Sequence, residues 1–127
     1  MSSPRPPRWI GRWIIGVGLL HLIAGLFIFR DAWAVVVDRG IVGGVSDFDS
    51  TATAFWFAAL GPALLIVGGL VDHFEKVGDR PPAWLGWAML ALVVCLIVPM
   101  PATGAWLIVP PTIALITREH RWRNSPD

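Results

Sequence analysis

The chain has 127 residues, of which 55% are hydrophobic and 15% charged, and its formal net charge is +1. This length corresponds to one domain, and the charged fraction lies well below the quarter that is usual in soluble domains. The small net charge, with its arginines grouped at the ends of apolar segments, argues against a nucleic-acid partner. The single cysteine, Cys95, excludes an intrachain disulfide, and we expect it to be simple packing within its apolar run.

Four apolar runs follow one another along the chain and predict an all-α membrane protein with four transmembrane helices. The spans are expected at about residues 10–29, 52–71, 82–98 and 103–117, within a single integral membrane domain over residues 1–127. Crossing a hydrocarbon core of about 30 Å takes about 20 residues. The fourth run is shorter than this, so it must lie little tilted or be shielded by its neighbours.

The ends of these runs carry residues typical of helix boundaries. Arg30-Asp31 stops the first run, and Asp49-Ser50-Thr51 offers N-cap residues to the second. Pro81-Pro82 suits the first turn of the third. A secretory signal peptide is the alternative interpretation of the first run, but that run is too long for the apolar region of such a peptide.

The long segment at residues 31–50 separates the first two runs. Its apolar residues fall on one side of a helix: Trp33, Val36, Val37 and Ile41. This pattern predicts a short interfacial amphipathic helix, followed by a turn at Gly43-Gly44. Consecutive valines also suit a strand, so the helix is the preferred of two assignments.

The eight tryptophans all lie near the ends of apolar runs, where an indole can anchor a helix at the membrane boundary. One face of the membrane would hold Trp9, Trp13, Trp84, Trp87 and Trp122. The other face would hold Trp33, Trp56 and Trp106. Of these, Trp56 and Trp106 lie beside proline-containing helices and could line a pocket instead.

The basic residues predict the orientation. Eight of them fall on one side of the predicted membrane, at Arg5, Arg8, Arg12, Lys76, Arg80, Arg118, Arg121 and Arg123, against two on the other, Arg30 and Arg39. Because cytoplasmic loops carry the excess of Lys and Arg, both termini are expected in the cytoplasm.

Small residues at regular spacing predict the faces where helices pack, because close approach in lipid depends on them. Glycines recur every seven residues on the first helix, at Gly11, Gly18 and Gly25, each followed three residues later by Ile14, His21 or Ile28. The second helix has the same spacing at Ala54, Gly61 and Gly68, and the third has Ala88, Ala91 and Cys95.

His21 is the one ionisable side chain near the middle of a predicted span. A functional interpretation makes it a proton relay, a ligand anchor or an acid/base group. The preferred alternative is a neutral histidine that bonds a backbone carbonyl and sets the register of two helices.

Prolines inside the predicted helices would leave carbonyls unpaired. Pro110-Pro111 would free those of Trp106 and Leu107, and Pro62 that of Ala58. His21, Thr112 and the Trp106 indole could donate to them in a small polar pocket between the first, second and fourth helices. An ordinary kink is the preferred alternative. The ligand-binding candidates are therefore His21, Trp56, Trp106 and Thr112, with His21 also the candidate catalytic residue.

Acidic and histidine residues gather at the cytoplasmic ends of the second and fourth helices: Asp72, His73, Glu75, Glu119 and His120. Their spacing is unlike that of metal ligands, and we expect a solvated helix end with neither metal nor cofactor. The chain also lacks a phosphate-binding glycine loop and a nucleophile elbow.

Short motifs occur in order along nearly the whole chain: Gly11-Arg12-Trp13, Phe55-Trp56-Phe57, Gly68-Gly69, Trp84-Leu85-Gly86-Trp87, and Met100 to Trp106 before Pro110-Pro111. With them the sequence resembles a family of small bacterial membrane proteins of unknown function. The resemblance implies a four-span protein of the bacterial cytoplasmic (inner) membrane, and it carries over no activity and no catalytic residue.

Three classes of function agree with these features to different degrees. A non-enzymatic protein that binds a lipid or hydrophobic molecule, or that joins a homo-oligomer or larger complex, agrees best with the small-residue faces. The alternative is a membrane-embedded enzyme on an isoprenoid or sterol-like substrate, with His21 as acid/base between Trp56 and Trp106. A proton-coupled exporter is disfavoured because no Asp or Glu lies mid-span.

Overall fold

The computed structural model describes residues 8–123, with residues 121–123 described by their backbone alone. Arg5 and the side chains of Arg121, Trp122 and Arg123, which the sequence assigns to the cytoplasmic face, lie outside the described residues. The described chain is all-α, as predicted, with α1 (Ile10–Ile28), α2 (Arg30–Asp38), α3 (Ser50–Val77), α4 (Ala83–Ile97), a 3₁₀ helix (Gly104–Ile108) and α5 (Val109–Arg123).

Within residues 8–123, two helices, not four, are long and apolar enough to cross a membrane. They are α1, with 19 residues, and α3, with 28. At 1.5 Å per residue they measure about 28 and 42 Å. The apolar α4 has only 15 residues, or about 22 Å. Of the four expected spans, therefore, only α1 and α3 could cross a membrane by their length and composition.

The helix α3 continues six residues beyond its predicted end at residue 71. A helix does not stop where its sequence becomes polar if its hydrogen bonds can continue, and this one ends at Gly78, whose φ is +79°. The Gly78 and Asp79 N–H groups both donate to the carbonyl of Phe74, at 3.0 and 3.1 Å. This is the usual way a glycine in the left-handed region closes a helix.

The predicted fourth helix is divided into the 3₁₀ helix and α5. Pro110 and Pro111 lie in the first turn of α5, where backbone N–H groups have no helical partner and proline is tolerated. The Trp106 carbonyl accepts the N–H of Val109. The prediction that the prolines free this carbonyl is therefore wrong.

The short helix predicted between the first two runs is confirmed as α2, but its buried face differs from the predicted one. Ala32 and Val36 are buried, whereas Val37 and Ile41 are exposed. The helix ends before Ile41 because Gly40 adopts a φ of +90°, which removes that residue from the helical face.

The chain divides into two compact units, one made of residues 1–14 with 67–127 and the other of residues 15–66. In the second unit, a Cβ on Gly18 would lie 3.1 Å from the Gly61 carbonyl oxygen. A Cβ on Gly25 would lie 3.0 Å from the Phe57 ring. The glycine face of α1 is thus confirmed at these positions, although Ile28 is exposed.

In the first unit, α4 and α5 pack as an antiparallel pair. A Cβ on Gly86, near the start of α4, would lie 2.9 Å from the side chain of Ile116, in the middle of α5, and Ala83 at the start of α4 shares a cavity with Arg118 and Glu119, further along α5. The buried residues of α4 are Leu85, Gly86, Met89 and Val93, and they form the face that packs on α5. The predicted face of Ala88, Ala91 and Cys95 is exposed instead, so the assignment of Cys95 to packing is wrong.

Candidate functional site

Glu75, in the last turn of α3, is the most deeply placed charged side chain with described partners. Its side chain is 4% exposed. One carboxylate oxygen, Oε1, accepts a hydrogen bond from Nη1 of Arg118 on α5 at 2.6 Å. The other, Oε2, accepts the backbone N–H of Gly11 on α1 at 3.0 Å.

The Gly11 bond gives Glu75 a second kind of stabilisation. Gly11 lies in the first turn of α1, where backbone N–H groups have no partner within the helix and carry the positive end of the helix dipole. A carboxylate at this position satisfies one of those groups. Glu75 is therefore held by a guanidinium and by a helix N-terminus, which together offset the cost of burying its charge.

Asp72 forms a second connection at the same end of α1. Its carboxylate accepts both bonds from Nη2 of Arg8, at 3.2 and 3.1 Å, and Nε of Arg12 lies 3.9 Å away. A Cβ on Gly11 would collide with the backbone of Asp72. The start of α1 and the end of α3 thus approach too closely for any residue larger than glycine at position 11.

A cavity of about 260 Å³ adjoins the pair of Glu75 and Arg118. We call it the Glu75 pocket. Its apolar walls come from Phe74, Pro81, Pro82, Ala83, Gly86 and Leu115, and its polar groups from Glu75, Gly78, Asp79, Arg80, Arg118 and Glu119. The turn at Gly78 and the two prolines shape one side, between the end of α3 and the start of α4.

The lining combines apolar walls with charged groups. Glu75 and Arg118 neutralise each other, which leaves Asp79, Arg80 and Glu119 as the further charged groups of the lining. Concave sites with apolar walls and a few polar groups are where small molecules bind. Among residues 8–120, no group of three or more His, Cys, Asp or Glu side chains is placed to hold a metal ion.

The sequence prediction missed Glu75, because it assigned this residue to a solvated helix end. The correction has a physical basis in the helix period. Ala54, Gly61 and Gly68 are spaced by seven and are all buried, and Glu75 is the next member of that series. Continuing the series past the polar boundary at Asp72 would have identified it.

His21 makes the contact that the preferred interpretation predicted. Its Nε2 lies 2.9 Å from the carbonyl oxygen of Phe57. Because a carbonyl oxygen only accepts, Nε2 is the protonated nitrogen and donates this bond. The imidazole also stacks on the Phe57 ring, with centroids 4.0 Å apart and an interplanar angle of 15°. A catalytic role for His21 stays a prediction.

The other candidate residues have their own neighbours. Trp56 is exposed and meets Phe55 edge to face at 5.5 Å, in the same unit as His21. Trp106 and Thr112 belong to the other unit. The Trp106 indole donates to the carbonyl of Pro101 at 2.8 Å, and the buried Thr112 hydroxyl donates to that of Ile108 at 2.8 Å.

The Leu107 carbonyl, predicted to be freed by Pro111, is bonded by a residue that the sequence did not suggest. The Trp13 indole N–H donates to it at 2.7 Å. Trp13 was predicted for one membrane face and the neighbouring Trp106 for the other. The contact brings the Trp13 side chain to the 3₁₀ helix, so its N–H binds protein rather than a lipid headgroup.

The described residues define an all-helical protein in which two helices are long and apolar enough to cross a membrane. The chain belongs to DUF6463, a family of unknown function, whose model matches residues 5–122. No curated protein and no solved structure matches the chain. The resemblance to a family of unknown function is thus confirmed in that respect, while the bacterial membrane that it implies stays a prediction.

Proposed function

We propose that this protein is an integral membrane protein that binds a membrane lipid in the Glu75 pocket. The observation that carries the proposal is an apolar cavity placed directly beside a buried ion pair. Such a site offers an apolar chain a dry wall and offers a polar headgroup fixed charges. It needs no catalytic group, in keeping with a function that works through binding.

The proposed topology has four segments in a bacterial inner membrane. The helices α1 and α3 cross it fully, and α4 with the 3₁₀ helix and α5 form a shorter hairpin. A 3₁₀ helix rises about 2.0 Å per residue, which lengthens the short fourth segment. The excess of Lys and Arg supports a cytoplasmic location for both termini. The Glu75 pocket, at the end of α3, then lies at the cytoplasmic surface, where lipid headgroups are found.

The size of the pocket limits what enters it. Sites for drug-sized ligands typically have volumes of about 300 to 1,000 Å³. At about 260 Å³, the Glu75 pocket holds part of a lipid rather than a whole one. We infer that a segment of acyl chain lies against Phe74 and Leu115, with the headgroup near Arg80 and Asp79.

Photocrosslinking tests the proposal with two alanines of α4 that are both exposed. Ala83 lines the pocket, whereas Ala88 lies one and a half turns further along and does not. Each is replaced by tryptophan, and the protein is reconstituted in nanodiscs with photoactivatable phosphatidylethanolamine or phosphatidylglycerol. Mass spectrometry then maps crosslinks to residues 74–86.

We expect A83W to lower crosslinking at these residues by about fivefold or more, because the indole fills the binding volume. A88W should match the unchanged protein. Equal crosslinking in A83W, or crosslinks scattered over all apolar surfaces, would contradict a lipid site here. The two lipids distinguish a preference for an anionic headgroup from binding that depends on the chain alone.

The enzymatic alternative has less support from the geometry of its central residue. Nε2 of His21 already donates to the Phe57 carbonyl, so it is occupied in the hydrogen bond that holds two helices. Assembly into a homo-oligomer or larger complex remains a prediction from the small-residue faces.

A further inference from the structure

The loop between α2 and α3 has three large apolar side chains that are largely exposed. We call residues 40–48 the apolar loop. Val42 and Phe48 are each 98% exposed, and Ile41 is 79% exposed. Leaving such surface in water costs about 25 cal/mol per Å² relative to burial. Three large apolar side chains on one short loop therefore indicate a surface that something apolar covers.

The loop is held closed at its base. Arg39, just before the loop, donates from Nη1 to Oδ2 of Asp49, just after it, at 2.6 Å. The other oxygen of Asp49 accepts the N–H of Thr51 at 2.9 Å, so Asp49 also caps α3. The buried Thr51 hydroxyl accepts the N–H of Ser46 at 2.9 Å.

The backbone inside the loop is equally determined. Gly40 and Gly43 have φ values of +90° and +76°, in the region that glycine adopts without strain. Gly44 is buried, and a Cβ there would collide with the carbonyl oxygens of Gly40 and Val36. These constraints fix the loop in a conformation that turns Val42 and Phe48 outward. A preorganised apolar surface of this kind loses little conformational entropy on binding.

The position of the loop in the chain indicates what covers it. The loop joins α2 to α3, and α2 continues directly from α1. The helices α1 and α3 are the two that could cross a membrane. If they do, the loop is tethered at the bilayer surface at both ends. Phenylalanine and valine partition into that interface, while the paired charges of Arg39 and Asp49 stay at headgroup level.

We propose that the apolar loop inserts Val42 and Phe48 into the outer leaflet of the membrane and so fixes the depth of α1 and α3. This inference rests on the membrane crossing in the proposed function and adds a lipid-binding surface in the second unit. It does not depend on the Glu75 pocket.

Site-specific fluorescence tests the insertion. In a C95S background, a single cysteine at residue 48, 47 or 27 carries the environment-sensitive dye NBD, and the protein is reconstituted in phosphatidylcholine/phosphatidylglycerol vesicles. Nitroxide lipids that carry the quencher near the headgroup or near the chain end report depth. Asp47 is the exposed neighbour of Phe48, and Phe27 is an exposed residue of α1.

We expect F48C to be quenched by the shallow nitroxide about threefold more than D47C, because only the apolar position enters the interface. If α1 lies in the membrane, F27C should be quenched whether or not the loop inserts. Quenching at F27C without quenching at F48C would overturn the loop proposal alone. Absence of quenching at both would overturn the membrane crossing itself.

A second variant separates lipid insertion from shielding by protein. R39Q removes the ion pair at the base of the loop, and we expect it to lower quenching at F48C by about half, since the preorganised conformation is weakened. Quenching at F27C should not change. A blue-shifted dye at F48C that no nitroxide lipid quenches would show that a protein surface covers the loop, and would overturn the proposal.

Discussion

At the scale of single residues, Glu75 shows how a charge can lie almost out of reach of solvent. Its two oxygens serve different partners, the Arg118 guanidinium and the Gly11 N–H. Loss of the carboxylate costs more than the pair contributes, because the Arg118 guanidinium loses this ion pair while it stays largely buried.

Replacing Glu75 by alanine should therefore destabilise the protein by about 3 kcal/mol, since it leaves Arg118 and the Gly11 N–H without the carboxylate. Thermal unfolding in detergent measures the change. The control is D38A, which removes an exposed carboxylate of α2 and should have almost no effect. The prediction is wrong if both variants unfold at the same temperature.

The lowered pKa of Asp49 predicts that the hydrogen bonds at the base of the apolar loop depend on pH. Its hydrogen bond from the Thr51 hydroxyl, and next that from Arg39, lower its pKa from 3.8 to about 2. Because the pKa is depressed in the folded protein, the stabilisation is complete above 3.8 and is lost as the pH falls toward about 2.

The amide resonance of Thr51 reports this titration by NMR, because its N–H donates to Asp49. We expect its midpoint near pH 2 and no titration of this resonance in D49N. A midpoint close to 3.8 would mean that the carboxylate does not hold these bonds in solution.

At the scale of secondary-structure elements, the glycines of α1 differ in what surrounds them. Gly11 faces the backbone of Asp72, whereas Gly16 has nothing within 4 Å of the position of a Cβ. The same substitution on the same helix thus meets two different environments. Helix propensity favours alanine at both positions by about 1 kcal/mol, so only packing can make them differ.

G11A should destabilise the protein by on the order of 2 kcal/mol, because the backbone of α3 must move away. G16A should be neutral or slightly stabilising. Unfolding of both variants in detergent, followed by circular dichroism, makes the comparison directly. Equal stability of the two would show that the close approach at Gly11 is not present in solution.

The helices themselves could be predicted because long apolar runs and cap residues determine them locally, as at Asp49 before α3. The buried face of α4 could not be predicted from small residues alone. Ala88, Ala91 and Cys95 are as small as a packing face requires, but Gly86 permits the closest approach and determines which face meets α5.

Of the contacts expected for the candidate residues, the bond between His21 and a backbone carbonyl is present, because it takes only one side chain and one backbone group. The Glu75 pocket depends on pairing between residues 75 and 118 and on the turn at Gly78, which are distant in sequence or set by backbone geometry. The division of the predicted fourth helix was missed because the proline pair begins a helix instead of interrupting one.

At the scale of the whole molecule, the proposed topology places the turn after α4 on the same side of the membrane as the apolar loop. In a C95S background, single cysteines at Asp47, Ala102 and Lys76, all exposed, can be labelled in intact spheroplasts with an impermeant maleimide. We expect D47C and A102C to react, and K76C only after permeabilisation. If A102C behaves like K76C, the hairpin of α4 and α5 does not cross.

The bonds of Glu75 also bear on biosynthesis. The carboxylate belongs to α3, but its cation, Arg118, is synthesised 43 residues later. Until α5 is made, the growing chain carries an unneutralised acid at the edge of a long apolar helix. Helix α5 therefore completes the neutralisation of Glu75, and a chain cut short before residue 109 would present that acid to the proteases that remove incomplete chains.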